Sequence, residues 1–353
     1  MDGNAFSTID LFPLIVEHRH FFKYASAVDI KIGTKLAVYT SLDQDDMLAL
    51  LADYDLGNLV SFQGISGGVE NTNYFVTTDQ GKYVLTLFEE FEAEEVPYFL
   101  DVVAHFKAEG FNVPAAINDK QGERLRMIKD RPAIMVDCFP GTLLDQTDVA
   151  SCALMGTELA KLHKSGQMFP EKRPSHRGVE WWNTTSKALA PKLPAEDATL
   201  LLSQVEAFDD FLQTSTELPT GTIHADLFFN NTLFVGTELS AIIDFYNACH
   251  SWLTYDLAIV VNDWCSDPET GEIELEKYRS LITAYANERA FTEAEKDNWP
   301  LMLQTAAMRF WLSRLEAWYG AIDDPERLAQ QHNPEEIKRI LNARVKFCPA
   351  LVG

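Results

Sequence analysis

Positive charge is what this chain has least of. Among its 353 residues, 29 Lys and Arg stand against 53 Asp and Glu, a formal net charge of −24. A surface of that sign repels nucleic acid and anionic membrane at long range, so neither is an expected partner. An anionic ligand must then be held by local devices: loop amides, bound cations or a few placed basic residues. Cysteine is scarce as well. Cys138, Cys152, Cys249, Cys265 and Cys348 are odd in number and widely spaced, with no CxxC pair to grip zinc or cycle as a redox couple. They read as small buried hydrophobes of a reducing compartment, and the cytoplasm is the expected location. No run approaches the ~20 apolar residues of a transmembrane helix. The apolar stretch IDLFPLIV near the N-terminus is broken by Asp10 and Pro13 and lacks the cationic flank of a secretory signal. Internal repeats and low-complexity tracts are missing too. What is present is 46% apolar residues in a chain long enough for two domains or one bilobal one.

Residues 1–35 have weak periodicity and read as an N-terminal extension of unknown role, with the isolated His18 and His20 carrying no clear metal signal. From Leu36 the pattern sharpens. SLDQDDMLALLADYDLG predicts an amphipathic helix with Met47, Leu50 and Leu51 on one stripe and Ser41 as its cap. LVSFQGI, the loop SGGVENT, NYFVTT, the turn DQGK and YVLTLF predict antiparallel strands, because apolar alternation is interrupted by Gly-rich turns. A helix follows over 94–109, with Phe99, Val102, Val103 and Phe106 on one face, Pro97 in its first turn and Gly110 closing it. VPAAI (113–117) and RPAIMVDCF (131–139) predict two more strands, and Pro140-Gly141 ends the lobe.

Beyond 141 helices dominate: 148–164, 197–213, 254–265, 275–290, 300–319 and 334–345. The strand signals in this half are TLFV (232–235) and LSAIIDF (239–245). The fold class expected is α+β and bilobal: a nucleotide-binding lobe at 36–139 with an antiparallel sheet and one helix, and a larger, mostly helical catalytic and substrate-binding lobe at 140–353. A cleft between two lobes is a favoured ligand site.

The stretch IHADLFFNN (223–231) puts one His, one Asp and two Asn between two apolar runs, and AIIDF places Asp244 at the end of a strand thirteen residues beyond Asn231. A tight loop lets Asp226 face a substrate hydroxyl while Asn231 faces a metal, and a hairpin returns Asp244 alongside. Phosphoryl transfer needs this set: a hydroxyl oriented in line and cations bridging the phosphates, where magnesium takes one or two carboxylates plus amide oxygen and water. An ordinary Asx-capped polar turn is the alternative.

IHADLFFNN followed by IIDF resembles the catalytic loop and metal-binding segment of the aminoglycoside phosphotransferase and choline kinase-like superfamily, whose fold is that of the protein kinases. GISGGVENTNYFV, KYVLTLFE, IIDFYNAC, YDLAIVVNDWC and MRFWLSRL, taken in order from 36 to about 320, are similar more specifically to its kinase-like homoserine kinases. The resemblance implies ATP-dependent, Mg2+-requiring phosphorylation of the L-homoserine hydroxyl in the threonine branch of amino-acid synthesis. Asp226 would accept or orient the hydroxyl, His224 brace the loop, and Asn231 and Asp244 bind Mg2+. The loop from Gly67, Gly68, Val69, Glu70 to Asn71, Thr72 and Asn73 would lie over the phosphates of ATP, where glycines let backbone amides approach closely. Backbone groups of Asp137, Cys138 and Phe139 would meet the adenine.

Three departures stand out. Thr86 occupies the position of the strand lysine of protein kinases, and Phe229-Asn230 and Asp263 replace Pro-Asp and Ala. For an amino-acid carboxylate the guanidinium fork of Arg fits best, which singles out Arg309 and Arg314 on the 300–319 helix, an ion pair with Glu316 or another acid being the alternative for each. Tyr246 and Asp263 are further pocket residues, the acid for the ammonium group. Asp256 is expected to cap its helix and steady the loop, His163 to meet a helix dipole, and Glu94 and Glu95 to be solvated. The same fold acting on an amino alcohol, an aminoglycoside or methylthioribose, or a silent nucleotide-binding module, are the competing readings.

Overall fold

The computed structural model describes residues 39–65, 71–214 and 216–352. The extension at 1–35 and the loop positions Gly67, Gly68, Val69 and Glu70 lie outside the described residues.

The first lobe opens with α1 (Gln44–Leu51), which buries Met47, Leu50 and Leu51. Its cap is Asp43 rather than Ser41: Asp43 accepts from the Asp46 N–H while Asp46 accepts from the Asp43 N–H, a reciprocal capping box that a serine two residues earlier cannot make. Then come β1 (Leu59–Gly64), β2 (Asn71–Thr78), β3 (Lys82–Phe88), α2 (Val96–Ala108), β4 (Arg126–Ile128) and β5 (Arg131–Asp137). The five strands form one antiparallel sheet in the order β1-β2-β3-β5-β4. Alternation along β2 and β3 sends Tyr74, Val76, Leu85 and Leu87 onto α1, closing a small core with Met135. VPAAI does not become a strand. Pro114 has no N–H to donate, β4 takes the outer side of β5 along Arg131–Ala133, and beyond it the segment touches β5 only through an isolated bridge of Ala116 to Val136.

Pro140 and Gly141 carry the chain into the second lobe. Gly141 sits at φ +124, and a Cβ there would lie 2.7 Å from the Phe234 carbonyl oxygen, so only glycine lets the connector approach and pair Thr142 with Phe234. The lobe continues with α3 (Val149–Gly166), α4 (Val179–Leu189), α5 (Ala195–Leu212), β6 (Thr220–Ile223), β7 (Thr232–Val235), β8 (Glu238–Ile242), β9 (Cys249–Trp252), α6 (Leu253–Trp264), α7 (Leu275–Glu288), α8 (Glu293–Ala321), α9 (Pro325–Leu328) and α10 (Pro334–Lys346). β7 and β8 pair as a hairpin, and β6 pairs antiparallel with β9. The last two strands and α4 escape a periodicity reading because four-residue strands hold too few alternations. α8 begins seven residues before the expected start: the Thr292–Glu295 capping box fixes its N-terminus. Pro300 is carried inside it, between the fully buried Trp299 and Leu303 side of the helix.

α2 joins the lobes. Its Phe99, Val102, Val103 and Phe106 pack into the large core of the second lobe rather than only onto the sheet, and each such fully buried side chain is worth about 1.5–3 kcal/mol. Among the described residues no helix is long and apolar enough to cross a membrane.

Candidate functional site

The loop after β6 is held from three directions before its own side chains are considered. Ala225 takes a left-handed conformation (φ 63), which a non-glycine residue keeps only when its surroundings enforce it. Here they do. Both carboxylate oxygens of Asp256, on the buried side of α6, accept loop amides: His224 N–H at 3.1 Å and Ala225 N–H at 2.8 Å. His224 completes the brace by accepting the Asp226 N–H at Nδ1 (3.2 Å) and donating Nε2–H to the Ile243 carbonyl (3.0 Å). That assignment of the ring proton follows from the two partners, and burial pushes the His224 pKa down, so the ring is neutral.

Asp256 is itself fixed from behind. His163 donates Nε2–H to it at 3.0 Å and accepts at Nδ1 from the Tyr285 hydroxyl at 2.6 Å. Both groups are buried. Burial lowers the His163 pKa and keeps it neutral; burial alone would raise Asp256, but the His163 hydrogen bond and the loop amides outweigh it and hold the carboxyl below its ordinary range. Asp256 therefore steadies the loop as expected but does not cap α6, whose N-cap is Trp252 without a side-chain bond. His163 is a member of this buried chain rather than a surface dipole partner.

The loop then turns through a short 3-10 segment, Phe229–Asn231. Asn231 donates Nδ2–H to the Asp226 carbonyl (2.7 Å), which leaves its amide oxygen as the acceptor, and the Ile243 N–H donates to the Asn231 carbonyl (2.9 Å). Asp244 follows Ile243 in a left-handed conformation (φ 66, ψ 59), so Asp226, Asn231 and Asp244 are brought together by one loop and the end of one hairpin. One carboxylate and one amide oxygen make too small a set to enclose a cation, and they suit a hard divalent ion whose remaining ligands are phosphate oxygens and water. After Asp244, the Phe245 ring packs at a tilt against His224 (4.5 Å between centroids) and Phe106 of α2 (5.5 Å), tying the segment to both lobes.

The other sequence candidates divide. Asp263 is partly buried and accepts the Phe229 N–H at 2.7 Å; burial raises its pKa to about 7, opposed first by that hydrogen bond and then by Arg314. Tyr246 packs edge-on against Phe88 (4.8 Å) at the underside of the sheet. Arg314 forms an ion pair with Glu336 at 2.7 Å and donates to the Asn333 carbonyl. Arg309 is 3% exposed, lies over the Phe310 ring, and donates to the Asn247 side-chain oxygen at 3.2 Å. Asn247 in turn directs its Nδ2 toward Asp226 Oδ2 at 3.5 Å. Sequence reasoning missed Asn247. Its only signal is its place three residues after Asp244.

In the first lobe, the Thr72 hydroxyl is fully buried and donates to Glu89 (2.6 Å), the Asn73 side-chain oxygen accepts from Thr86 (2.7 Å), and Asn71 is buried at the start of β2. Thr86 thus serves the sheet where a lysine would project. The Cys138 N–H donates to the Lys82 carbonyl (3.1 Å), which leaves its carbonyl beside the backbone groups of Asp137 and Phe139 at the connector. Glu95 is not simply solvated: it pairs with Arg173, whose guanidinium lies over Phe99.

A model of the phosphotransferase enzyme family matches residues 61–291. The chain is 42% identical over 306 residues to the homoserine kinase of Methylobacillus flagellatus, covering 87% of this chain and 94% of that one. It is 38% identical over 314 residues to the homoserine kinase of Janthinobacterium sp. (strain Marseille), covering 88% and 97%. Among solved structures, the amicoumacin kinase hAmiN in complex with AMP-PNP, Ca2+ and Ami superposes with a TM-score of 0.65 at 16% identity, covering 86% of this chain and 93% of that one.

Proposed function

The chain belongs to the phosphotransferase enzyme family, and from that premise we propose that it transfers the γ-phosphoryl group of ATP to the side-chain hydroxyl of L-homoserine, forming O-phospho-L-homoserine for threonine synthesis in the cytoplasm. The observation that carries the acceptor is the 42% identity to a homoserine kinase across 94% of that enzyme's length. Residues 36–139 form the nucleotide lobe and 140–353 the catalytic and acceptor lobe.

Asp226 is the group that faces the acceptor hydroxyl. Its backbone is immobilised by His224 and Asp256, so the carboxylate is placed rather than recruited, which is where positioning lowers a barrier. As the hydroxyl oxygen bonds to the γ-phosphorus, the bond from phosphorus to the β,γ-bridging oxygen breaks, the hydroxyl proton passes to the Asp226 carboxylate, and ADP leaves. Asn231 and Asp244 supply the oxygens that hold Mg2+, whose contribution when bound is to neutralise phosphate charge. In a chain of net charge −24 the acceptor's own carboxylate needs a placed cation, and Arg309, buried one side chain away from Asp226, is that cation. Arg314 is engaged by Glu336, and Asp263 holds the loop through Phe229 rather than meeting the ammonium group.

ADP release measured with ATP and magnesium against L-homoserine, choline, an aminoglycoside and methylthioribose tests this reading. Homoserine-dependent turnover is expected to exceed the others and to vanish with chelator. Asp226→Ala is expected to lose about 10²–10⁴ in kcat with little change in ATP binding. Turnover that favours another acceptor rejects the substrate; an Asp226→Ala enzyme with wild-type kcat rejects the site.

A further inference from the structure

Thr86 stands where protein kinases carry the lysine that meets the phosphates of ATP, which leaves that work to another group of the first lobe. Directly opposite residues of an antiparallel pair point to the same face of the sheet. The register of β2 on β3 sets Asn71 opposite Phe88, Asn73 opposite Thr86 and Phe75 opposite Val84, so these side chains share one face, while Leu85 and Leu87 take the other onto α1. The shared face is the one that meets the second lobe: Tyr246, two residues after Asp244, lies edge-on to Phe88 at 4.8 Å. Two amides stand on it at the start of β2. The Asn73 side-chain oxygen accepts from the Thr86 hydroxyl at 2.7 Å, which orients the amide and turns Nδ2 away from Thr86; among the described residues that nitrogen has no hydrogen-bond partner. Asn71 is 8% exposed, and its Oδ1 is buried without a partner, a costly condition that native folds keep for a reason. Thr72, between them on the opposite face, is engaged: its hydroxyl donates to Glu89 at 2.6 Å and accepts the Thr40 N–H at 3.2 Å.

We propose that the side-chain amides of Asn73 and Asn71 bind the polyphosphate of the nucleotide in place of a strand lysine. Asn73 Nδ2 donates to phosphate oxygen, and Asn71 adds a second amide whose orphaned oxygen accepts from water that the polyphosphate carries. This rests on the phosphoryl-transfer reading above and deepens it by naming the first-lobe groups that hold the phosphoryl donor. Thr86 is a positioning residue: it ties down the oxygen end of Asn73, so that N–H groups face the anion, whereas the flipped amide would set oxygen against phosphate. The lobes then divide the electrostatic work. The first lobe meets phosphate with neutral dipoles, which give direction without charge, and charge neutralisation is left to the divalent ion held by Asn231 and Asp244 in the second.

The experiment measures Kd for ATP, ADP and adenosine by titration calorimetry, with magnesium present, in wild type, Asn73→Asp, Asn73→Ala and Asn71→Leu, beside the thermal midpoint of each protein. Asp is nearly isosteric with Asn and accepts the Thr86 hydroxyl equally well, so an amide that served only the sheet would tolerate the change. Facing phosphate, the carboxylate repels: ATP and ADP are expected to bind at least about tenfold more weakly while adenosine is unchanged. Asn73→Ala is expected to show the same selectivity with a smaller loss, and it carries the test if the Asn73→Asp protein folds poorly. Asn71→Leu removes a buried orphan, so its midpoint is expected to rise while ATP affinity falls by about tenfold, two changes of opposite sign that a structural amide would not give. ATP affinity within about twofold of wild type in both Asn73 variants, or equal losses for ATP and adenosine, overturns the inference and leaves the phosphoryl-transfer reading standing. A wild-type protein that holds ATP no more tightly than adenosine and releases no ADP with any acceptor overturns that reading and takes the amides with it.

Discussion

Replacing Asp263 by Asn removes a charge while keeping an oxygen where one is needed, and the stability of the two proteins should diverge with pH in a defined window. The Asp263 carboxylate accepts the Phe229 N–H at 2.7 Å, and Asn can accept it through its own side-chain oxygen. Burial raises the pKa from the ordinary Asp value of 3.8 to about 7. A raised acid pKa means that the folded protein holds a proton the unfolded chain has lost, so between pH 3.8 and 7 wild-type stability declines as pH rises. A displacement of about three pH units sets a ceiling of ~4 kcal/mol. Asp263 is only partly buried, so about half, ~2 kcal/mol, is expected. With an unfolding entropy near 2 cal/mol/K per residue, Asp263→Asn should melt ~3 °C above wild type at pH 8 and match it near pH 4. Thermal melts across pH 4–8.5 decide the matter, and turnover should stay close to wild type because the loop amide keeps its acceptor. A variant less stable than wild type at pH 8, or a difference that does not change with pH, refutes the reasoning.

The buried brace behind the loop makes two further predictions. Asp256→Asn must turn an N–H toward at least one of three buried donors, the His224 and Ala225 amides and His163 Nε2–H; each orphaned donor costs about 1–3 kcal/mol, and kcat should fall together with the denaturation midpoint. Acidification should weaken the fold through His163 and His224, whose folded pKa values are lowered by burial. That stability is complete above the unfolded value of about 6.5 and is lost as pH falls from there toward the folded values. Urea midpoints at pH 7.5, 6 and 5 should therefore decline, most cleanly in the Asp263→Asn background, where the opposing carboxyl is gone.

Asp226, Asn231 and Asp244 could be read from the sequence because one loop and one hairpin generate their proximity, so spacing along the chain stands in for spacing in the fold. The amphipathic helices were legible for the same local reason, and the choice between Ser41 and Asp43 as cap was lost only because two good caps lie two residues apart. Arg309 and Arg314 show where such reading stops. Five residues on a helix turn through about 140° beyond a full turn, so the two point to different neighbours: one to Asn247, the other to Glu336 on α10. Composition favours neither; the packing of α8 between two other elements decides. Asp256 is the intermediate case, since its place in the first turn of a helix suggested a cap, the local use of such a residue. Its carboxylate instead holds two amides more than thirty residues upstream. A sequence announces a cluster of polar groups when a single turn presents it, and it conceals the groups that orient the cluster when the partners arrive from separate elements. Asn247 is concealed in this way: it follows directly from the Asp244 segment, but its significance depends on a helix 62 residues further on.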